Sequence, residues 1–370
     1  SKFFLMRKIT NYVFLLLGTV LLAVGCRKFD RVKQLKDFAQ VNLVDNNGEY
    51  NAPITDPTLI NAWGIAFNPT GVAWVNSQAG HVSEVYDREG NMLRPPVNIP
   101  SPGGATGGNP TGIIFNGGTG FVLSNNEPAR FVFVGVDGIL SGWNPTAGNN
   151  ALLIKNNSST SAYTGLTTAK FQGGDYLYAA DFRAGKIQVW DMNFNNVALS
   201  FNDPNIPAGY APFNIERIDD WLYVLYAKVG PDGEEAAGAG LGYVSIFTTG
   251  GDFVKRFASQ GALNAPWGIA KAPASFFEDI DDEDNNGEKI GNDKKEIILV
   301  GNFGDGYINA FTKQGHFIGP LRSNHQPIKI EGLWAITFPP ATSDIDPNRL
   351  YFAAGPDDEK DGLFGYIIKK

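Results

Sequence analysis

Residues 264–270 read Asn-Ala-Pro-Trp-Gly-Ile-Ala and open the clearest repeat unit of the chain. After an insert, residues 296–306 read Glu-Ile-Ile-Leu-Val-Gly-Asn-Phe-Gly-Asp-Gly, residues 307–311 read Tyr-Ile-Asn-Ala-Phe, and residues 316–319 read His-Phe-Ile-Gly. These are four short apolar runs separated by Gly, Asn and Asp, which is the pattern of four strands joined by tight turns. One four-stranded sheet cannot bury both of its faces, so the unit must recur and stack on copies of itself.

Six copies of this unit follow one another along the chain. The equivalent position in the opening turn of each copy is Gly64, Gly112, Gly165, Asn214, Gly268 and Ala335. The spacings are 48, 53, 49, 54 and 67 residues, and the insert explains the longest. Four strands in each period of about 40–50 residues predict an all-β fold, a six-bladed β-propeller. In the second copy, residues 120–124 (Gly-Phe-Val-Leu-Ser) are predicted as the second strand.

The sixth copy ends at Lys370 after its third strand, whereas residues 39–44 form a strand pattern with no copy of their own. We therefore expect residues 39–44 to pair with residues 363–368, complete the last blade and close the ring. Closure of this kind removes two open sheet edges, which would otherwise promote aggregation.

The N-terminus has the features of an export signal. Met6-Arg7-Lys8 precedes a mostly apolar stretch that ends in Leu-Ala-Val-Gly-Cys at residues 22–26. A basic start, an apolar centre and small residues before the cut predict a signal peptide over residues 1–25, with Met6 as the start. The ending resembles a bacterial lipobox, which implies lipid on Cys26. The charged residues that follow lack a strand pattern, so residues 26–38 are predicted as a lipidated tether. The repeats then predict a single propeller domain over residues 39–370.

This resemblance favours an outer-membrane lipoprotein, and it leaves open whether the propeller faces outward or into the periplasm. The alternative is a single transmembrane anchor, for which the apolar stretch is short because a span needs about 20 residues. The formal net charge of −8 makes nucleic acid an unfavourable partner. Cys26 is the only cysteine, so the chain contains no internal disulfide.

Four stretches, among them Asn-Ala-Trp-Gly-Ile-Ala-Phe at residues 61–67 and Gly-Leu-Trp-Ala-Ile-Thr-Phe at residues 332–338, resemble a family of exported, uncharacterised bacterial propeller proteins. The resemblance lies in residues 61–67, 299–311, 332–338 and 350–364, and it extends over about residues 40–370. It implies the propeller fold and export, and no activity. A more distant similarity connects the chain to NHL-repeat propellers and to the six-bladed lactonase group.

The loops that enter the first strand of each blade and join its second and third strands share one face of a propeller. Aromatic and carboxamide side chains on that face would suit a small-molecule or sugar site. The candidate ligand funnel consists of Trp63, Asn76, Asn125, Asp181, Trp267, Asn302 and Trp334. The alternative is that these residues form turns and fill space between blades, since Asn and Asp are ordinary turn residues. Residues 231–242 are predicted to project over this face.

An enzymatic role would need a catalytic side chain or a bound metal, and the sequence identifies no catalytic residue. Lactonase-type propellers hold a divalent metal with oxygen ligands, for which Asn76, Asn125, Asp181 and Asn302 are the counterparts that the resemblance suggests. No acid plainly begins an inner strand, with the exception of Glu331. The three histidines lie in different repeats without metal-ligand spacing.

The acidic insert contains a partial calcium-loop pattern. Asp282, Asp284 and Asn286 alternate before a glycine, Glu288 follows, and Asp293 occupies the twelfth position. Oxygen donors at alternate positions with a glycine for the bend suit Ca²⁺, here in a structural role. The alternative is a solvated acidic loop, since Asp293 replaces the usual Glu.

Taken together, the sequence favours a lipid-anchored binding or scaffolding module of the cell envelope. Its expected partners are the membrane, through the lipid on Cys26, and a membrane-protein complex or a glycan. The alternative is a divalent-metal-dependent, lactonase-like hydrolase that uses the central funnel.

Overall fold

The computed structural model describes residues 35–277 and 296–370. The described residues form six sheets of four or five strands arranged as the blades of a propeller, as predicted. Two short 3₁₀ helices, Pro145–Ala147 and Ala274–Phe277, occur among them. In this part of the chain, no helix is long and apolar enough to cross a membrane.

The strands alternate with short turns along the chain. In chain order they are β1 (Phe38–Asp45), β2 (Ile54–Thr55), β3 (Ala62–Phe67), β4 (Ala73–Ser77), β5 (Val82–Tyr86), β6 (Val97–Asn98), β7 (Pro100–Ser101), β8 (Gly104–Gly107), β9 (Pro110–Phe115), β10 (Phe131–Gly135), β11 (Ile139–Trp143), β12 (Leu152–Asn156), β13 (Tyr163–Phe171), β14 (Gly174–Asp181) and β15 (Lys186–Trp190). They continue as β16 (Asn196–Val197), β17 (Tyr210–Ile218), β18 (Trp221–Val229), β19 (Glu235–Ala236), β20 (Gly242–Phe247), β21 (Phe253–Ser259), β22 (Pro266–Lys271), β23 (Ile297–Asn302), β24 (Ile308–Thr312), β25 (Phe317–Pro320), β26 (Arg322–Ser323), β27 (Gln326–Pro327), β28 (Leu333–Thr337), β29 (Leu350–Ala354) and β30 (Leu363–Lys369).

Each blade is an antiparallel meander that runs outward from its first strand. Blade 1 contains β3 to β6, blade 2 contains β9 to β12, and blade 3 contains β13 to β16. Blade 4 contains β17, β18, β20 and β21, with β19 beside β18, and blade 5 contains β22 to β25. The pairs β7–β8 and β26–β27 form separate two-stranded ribbons.

Blade 6 is completed by the N-terminal strand. It runs from β28 through β29 and β30 to β1, and β2 then pairs with β1 in parallel. In the antiparallel pairing of β1 with β30, Ala39 lies opposite Ile368 and Val44 opposite Phe364. This confirms the predicted pairing of residues 39–44 with residues 363–368, and it leaves Val44 and Phe364 fully buried.

The predicted second strand of blade 2 is wrong. Residues 120–124 lie in the connection between β9 and β10, and the second strand is β10. Phe121 has a φ of 56° and its N–H donates to Met192 O of blade 3, so the segment leaves the sheet. Its apolar pattern arises because the buried ring of Phe121 packs on Phe194, 5.6 Å away between centroids. The alternating apolar pattern of residues 120–124 therefore reflects packing between two blades, and these residues do not pair as a strand of blade 2.

The inner strands approach one another closely where the repeat has glycine. A β-carbon on Gly112 would lie 2.5 Å from Leu166 N, and one on Gly268 would lie 2.7 Å from Trp334 O. These distances are too short for any side chain, so the glycines permit the narrow waist of the ring. In blade 4 the equivalent residue is Asn214, whose Nδ2 donates to Trp267 O at 2.7 Å and connects two blades directly.

Aromatic side chains fill the spaces between neighbouring blades. The ring of Trp74 stacks on Phe131 at 4.1 Å between centroids, and Phe38 lies 5.0 Å from Phe276. Large flat side chains of this kind supply most of the apolar area that holds stacked sheets together.

Candidate functional site

One end of the central channel is closed by aromatic side chains. They come from the position just before the glycine of the waist, which is occupied by Trp63, Thr111, Thr164, Phe213, Trp267 and Trp334. Trp63 stacks on Trp334 with centroids 3.4 Å apart, and Trp267 meets both rings edge-on at 6.3 and 6.0 Å. Phe213 lies 5.8 Å from Trp334. We call these four aromatic residues the aromatic plug.

The plug lies where the sequence predicted a ligand funnel. Trp63, Trp267 and Trp334 are at most 5% exposed. The indole N–H of Trp334 donates to Asn61 Oδ1 at 2.8 Å, and that of Trp267 donates to Thr164 O at 2.8 Å. The three tryptophans therefore lie on one face, where the sequence placed them, but they pack against one another and present little surface to a ligand.

Three of the predicted polar residues hold strand ends in place. Asn76 Nδ2 donates to Thr111 O at 2.9 Å, across the boundary between blades 1 and 2. Asp181 Oδ1 accepts the backbone N–H groups of residues 162 and 184, both at 3.1 Å. Asn302 Oδ1 accepts the N–H of Asn264 at 3.1 Å. All three side chains are fully buried, so their visible role is to bond the backbone.

Asn125 lies at the opposite end of its blade. It belongs to the connection between β9 and β10, whereas the prediction placed it between a second and a third strand. Its Nδ2 donates to Asn144 Oδ1 at 2.8 Å. The misplacement follows directly from the wrong second strand of blade 2, and it separates Asn125 from Asn76, Asp181 and Asn302.

The remaining predicted sites lie mostly outside the described residues. This holds for Cys26 with its lipid and for the calcium ligands Asp282, Asp284, Asn286, Glu288 and Asp293, which stay predictions from sequence. Within residues 35–277 and 296–370, no group of three His, Cys, Asp or Glu side chains is arranged to hold a metal ion. Glu331, the acid singled out near an inner strand, is exposed just before β28.

The predicted loop over the plugged end is confirmed by its contacts. Gly238 N donates to Asn264 Oδ1 of blade 5 at 2.7 Å. Burial raises the pKa of Glu235 to about 8, and the nearby Glu359 of blade 6 raises it further. Residues 231–242 therefore reach from blade 4 toward blades 5 and 6 at the plugged end.

Below the plug, the channel forms a cavity of about 430 Å³ that all six blades line. The plug residue Trp267 and Asn214 form its inner end. At the outer end, where the inner strands finish, Phe115, Arg217 and Phe338 line it and are partly or fully exposed. The space is thus blind at the predicted face and open at the opposite one, and it has the size of a small-molecule site.

Glu216 is the only acid at its level of the channel. The equivalent positions in the other blades, two residues beyond the waist, are Ala66, Ile114, Thr167, Ala270 and Thr337. Thr167 Oγ1 donates to Glu216 Oε1 at 3.3 Å, and Arg217 N–H donates to the same oxygen at 3.2 Å. Burial raises the pKa of Glu216 to about 7, and these two hydrogen bonds offset the rise only in part.

The outer end carries charges that are largely paired. Lys271 Nζ lies 2.8 Å from Asp219 Oδ2 and 2.6 Å from Glu296 Oε1, and Lys313 also pairs with Glu296. Hydrogen bonds from Lys271 and Lys313 lower the pKa of Glu296. Arg217 is exposed beside this network, and its guanidinium donates to Asp219 O at 3.4 Å.

Glu216 was missed in the sequence because the comparison of repeats stopped at the opening turn. Extending the alignment two residues further places an acid where the five other copies have alanine, isoleucine or threonine. This acid in one copy of the repeat is the sequence feature that indicates a functional residue in the channel.

The fold and this channel define a six-bladed β-propeller with a blind central cavity. The chain is 35% identical over 347 residues to "Uncharacterized protein R648" of Acanthamoeba polyphaga mimivirus, which covers 89% of this chain and 80% of that protein. It is 34% identical over 345 residues to "Uncharacterized protein L690" of the same virus, covering 89% and 86%. The chain therefore belongs to the same protein family as these two viral proteins.

No family model matches the sequence. The similarity to exported bacterial propellers therefore stays a prediction from the quoted motifs.

Among solved structures, a protein of unknown function from Bacteroides thetaiotaomicron superposes with a TM-score of 0.52 at 9% identity, over 84% of this chain and 70% of that one. The virginiamycin B lyase of Staphylococcus aureus gives 0.48 at 14% identity, over 90% and 98%. At such identities a likeness concerns the fold alone.

Proposed function

We propose that the protein is a binding module of the cell envelope, tethered by lipid on Cys26, whose propeller holds a small molecule in the central channel. The observation that carries the proposal is the cavity of about 430 Å³ with a single acid, Glu216, in its interior. A concave space of this volume, in which a few polar groups stand among apolar side chains, can hold a small molecule. The tether and the envelope location rest on residues 6–26 alone.

The two expected partner classes differ in what they require. A terminal unit of a glycan or another small ligand could enter the cavity from its open end. A membrane-protein complex would need a docking surface on the outside of the ring. The enclosed cavity favours the small ligand, and scaffolding of a complex remains the second role of the same module.

The lactonase-like hydrolase is kept as a second candidate function because of Glu216. A carboxyl group with a pKa of about 7 inside a cavity is suited to transferring protons at neutral pH. A metal-dependent version would need ligands beyond the described residues, since these contain no cluster of three metal-binding side chains.

The test is to fill the cavity. Thr337 lines it from β28 and is half-buried, so Thr337→Trp should block it. Thr160→Trp is the matched control, because Thr160 is exposed in the connection between β12 and β13 at the plugged end. We expect ligand-observed NMR with a panel of small polar molecules to show binding to the wild type and to Thr160→Trp, and loss of binding to Thr337→Trp. Binding that survives in a folded Thr337→Trp variant would remove the channel as the site.

A further inference from the structure

We propose that the channel ligand is a small organic ammonium ion, whose positive charge lies against the carboxylate of Glu216 and whose apolar part lies along the channel wall. This inference rests on the proposed binding role of the channel. It adds the chemical class of the ligand.

The first argument is the incomplete bonding of Glu216. Both of its hydrogen bonds, from Thr167 Oγ1 and Arg217 N–H, reach Oε1. No described residue donates a hydrogen bond to Oε2, and the residue lines the cavity in a half-buried position. A carboxylate taken out of water is destabilised unless an opposite charge or further donors compensate it. A ligand ammonium group supplies both.

The second argument is that the described residues place no cationic side chain at this depth. The side chains at the same level in the other five blades carry no charge. Lys271, at the open end, is already paired with Asp219 and Glu296, and Lys313 with Glu296. Arg217 points its guanidinium toward Asp219 O at the exposed rim, so its charge offsets the raised pKa of Glu216 only in part and forms no ion pair with it. A ligand ammonium group would therefore supply the direct ion pair that Glu216 does not form with any described residue.

The third argument concerns the rest of the ligand. Part of the wall is apolar, with Ile113, Ile114, Ile269 and Ile336 inside and Phe115 and Phe338 at the open end. Such a wall favours a hydrocarbon or aromatic body, and the phenylalanine faces attract a passing cation. The formal net charge of −8 also raises the local concentration of cations and opposes anionic ligands.

The experiment compares amines with alcohols of the same shape. The probes are benzylamine and benzyl alcohol, and cyclohexylmethylamine and cyclohexylmethanol, titrated calorimetrically into the purified protein at pH 6 and pH 8. We expect the amines to bind and the alcohols to bind at least about tenfold more weakly, as for a lost charged hydrogen bond. Amine affinity should rise about tenfold from pH 6 to pH 8, because the ionised fraction of Glu216 rises from about one tenth to about nine tenths around a pKa of about 7.

Two variants locate the effect. Glu216→Gln should lose the preference for amines and the pH dependence, while Glu127→Gln should keep both, since Glu127 is exposed on the β9–β10 connection. Equal binding of amines and alcohols without pH dependence would overturn the ammonium class and leave the binding role intact. Absence of amine binding to the wild type would also overturn it. Failure of the binding role itself would instead appear as binding of the broader NMR panel that Thr337→Trp does not change.

Discussion

At the residue scale, Thr58 Oγ1 lies between two buried carboxyl groups, 2.7 Å from Asp56 Oδ1 and 2.6 Å from Glu84 Oε1. A hydroxyl group has one proton and can donate to only one of them. The second short contact therefore requires a proton on one of the two carboxyl groups. Burial raises the pKa of Glu84 to about 7, and the Asp56 carboxylate nearby adds to the rise. Glu84 therefore carries this proton below about pH 7.

Blade 4 also has a buried aspartate at this place, but a different group compensates its charge. Asp203 precedes that blade as Asp56 precedes blade 1, and Ser245 stands at the position of Glu84. Ser245 Oγ donates to Asp203 Oδ2 at 2.6 Å, and the guanidinium of Arg256 pairs with the same oxygen at 2.6 Å. A cation balances the buried acid in blade 4, whereas a proton does so in blade 1.

Glu84→Gln should therefore stabilise the protein at high pH. The folded state raises the pKa of this acid, so stability is greatest below the unfolded value of 4.5 and is lost as pH rises toward 7. The loss is about 3 kcal/mol at most. Urea unfolding at pH 5 and pH 8 should show a gain for Glu84→Gln that is larger at pH 8. The exposed Glu127→Gln is the control, and an equal effect of Glu84→Gln at both pH values would contradict a neutral Glu84.

At this scale the sequence predicted positions better than roles. Trp63, Trp267 and Trp334 were placed on the right face, but nothing in a linear pattern shows that equivalent residues of six blades meet at the axis. Glycine at the waist lets the strands approach, and the large rings then fill the end of the channel. The same convergence leaves Glu216 alone at its level.

At the element scale, β1 links the two ends of the chain. Val44 is fully buried opposite Phe364, while Gln40 in the same strand is exposed opposite Ile367. The prediction of this strand succeeded because the last repeat lacked one strand and the chain began with one too many. Such a count depends on no detail of side-chain packing.

Val44→Asp should open the ring closure. An unpaired carboxylate would replace a buried methyl pair, at a cost of at least about 3 kcal/mol. Thermal unfolding should show a clearly lower midpoint for Val44→Asp and little change for Gln40→Asp. If both variants have the same midpoint of thermal unfolding as the wild type, the β1–β30 pairing does not stabilise the closed ring.

The failed strand at residues 120–124 shows the limit of pattern reading for elements. Phe121 and Leu123 alternate with exposed neighbours as in a half-buried strand. Alternation reports which side chains are buried, and it does not report whether the backbone bonds to a sheet. Here Phe121 is anchored to blade 3 through Met192 O, so the next apolar run, β10, pairs with β9 instead.

At the scale of the whole molecule, three interior glutamates make the free energy of unfolding fall as pH rises. Burial raises the pKa values of Glu84 and Glu216 to about 7 and that of Glu235 to about 8. Each therefore contributes stability that is lost as pH rises from about 4.5 through these values. Glu216 and Glu235 contribute less than Glu84, because both are partly open to solvent.

The ion-paired acids have the opposite effect, because they make the free energy of unfolding fall as pH decreases. Hydrogen bonds from Lys271 and Lys313 lower the pKa of Glu296. Burial alone would raise the pKa of Asp203. Hydrogen bonds from Ser245, the backbone of Asn205 and Arg256 nevertheless hold this pKa below its ordinary value. Their stability is present above the unfolded pKa and is lost as pH falls below about 4.

The free energy of unfolding should therefore peak between about pH 4 and 5, below the range of about pH 5–8 that is usual for globular proteins. Urea unfolding across pH 3–9 measures it. Replacing Glu84, Glu216 and Glu235 together by glutamine should flatten the decline between pH 5 and pH 8, while the acid limb below pH 4 stays, because Asp203 and Glu296 are untouched. A maximum at pH 7–8 in the wild type would mean that the interior carboxyl groups ionise without penalty, and it would contradict the raised pKa values of Glu84 and Glu216.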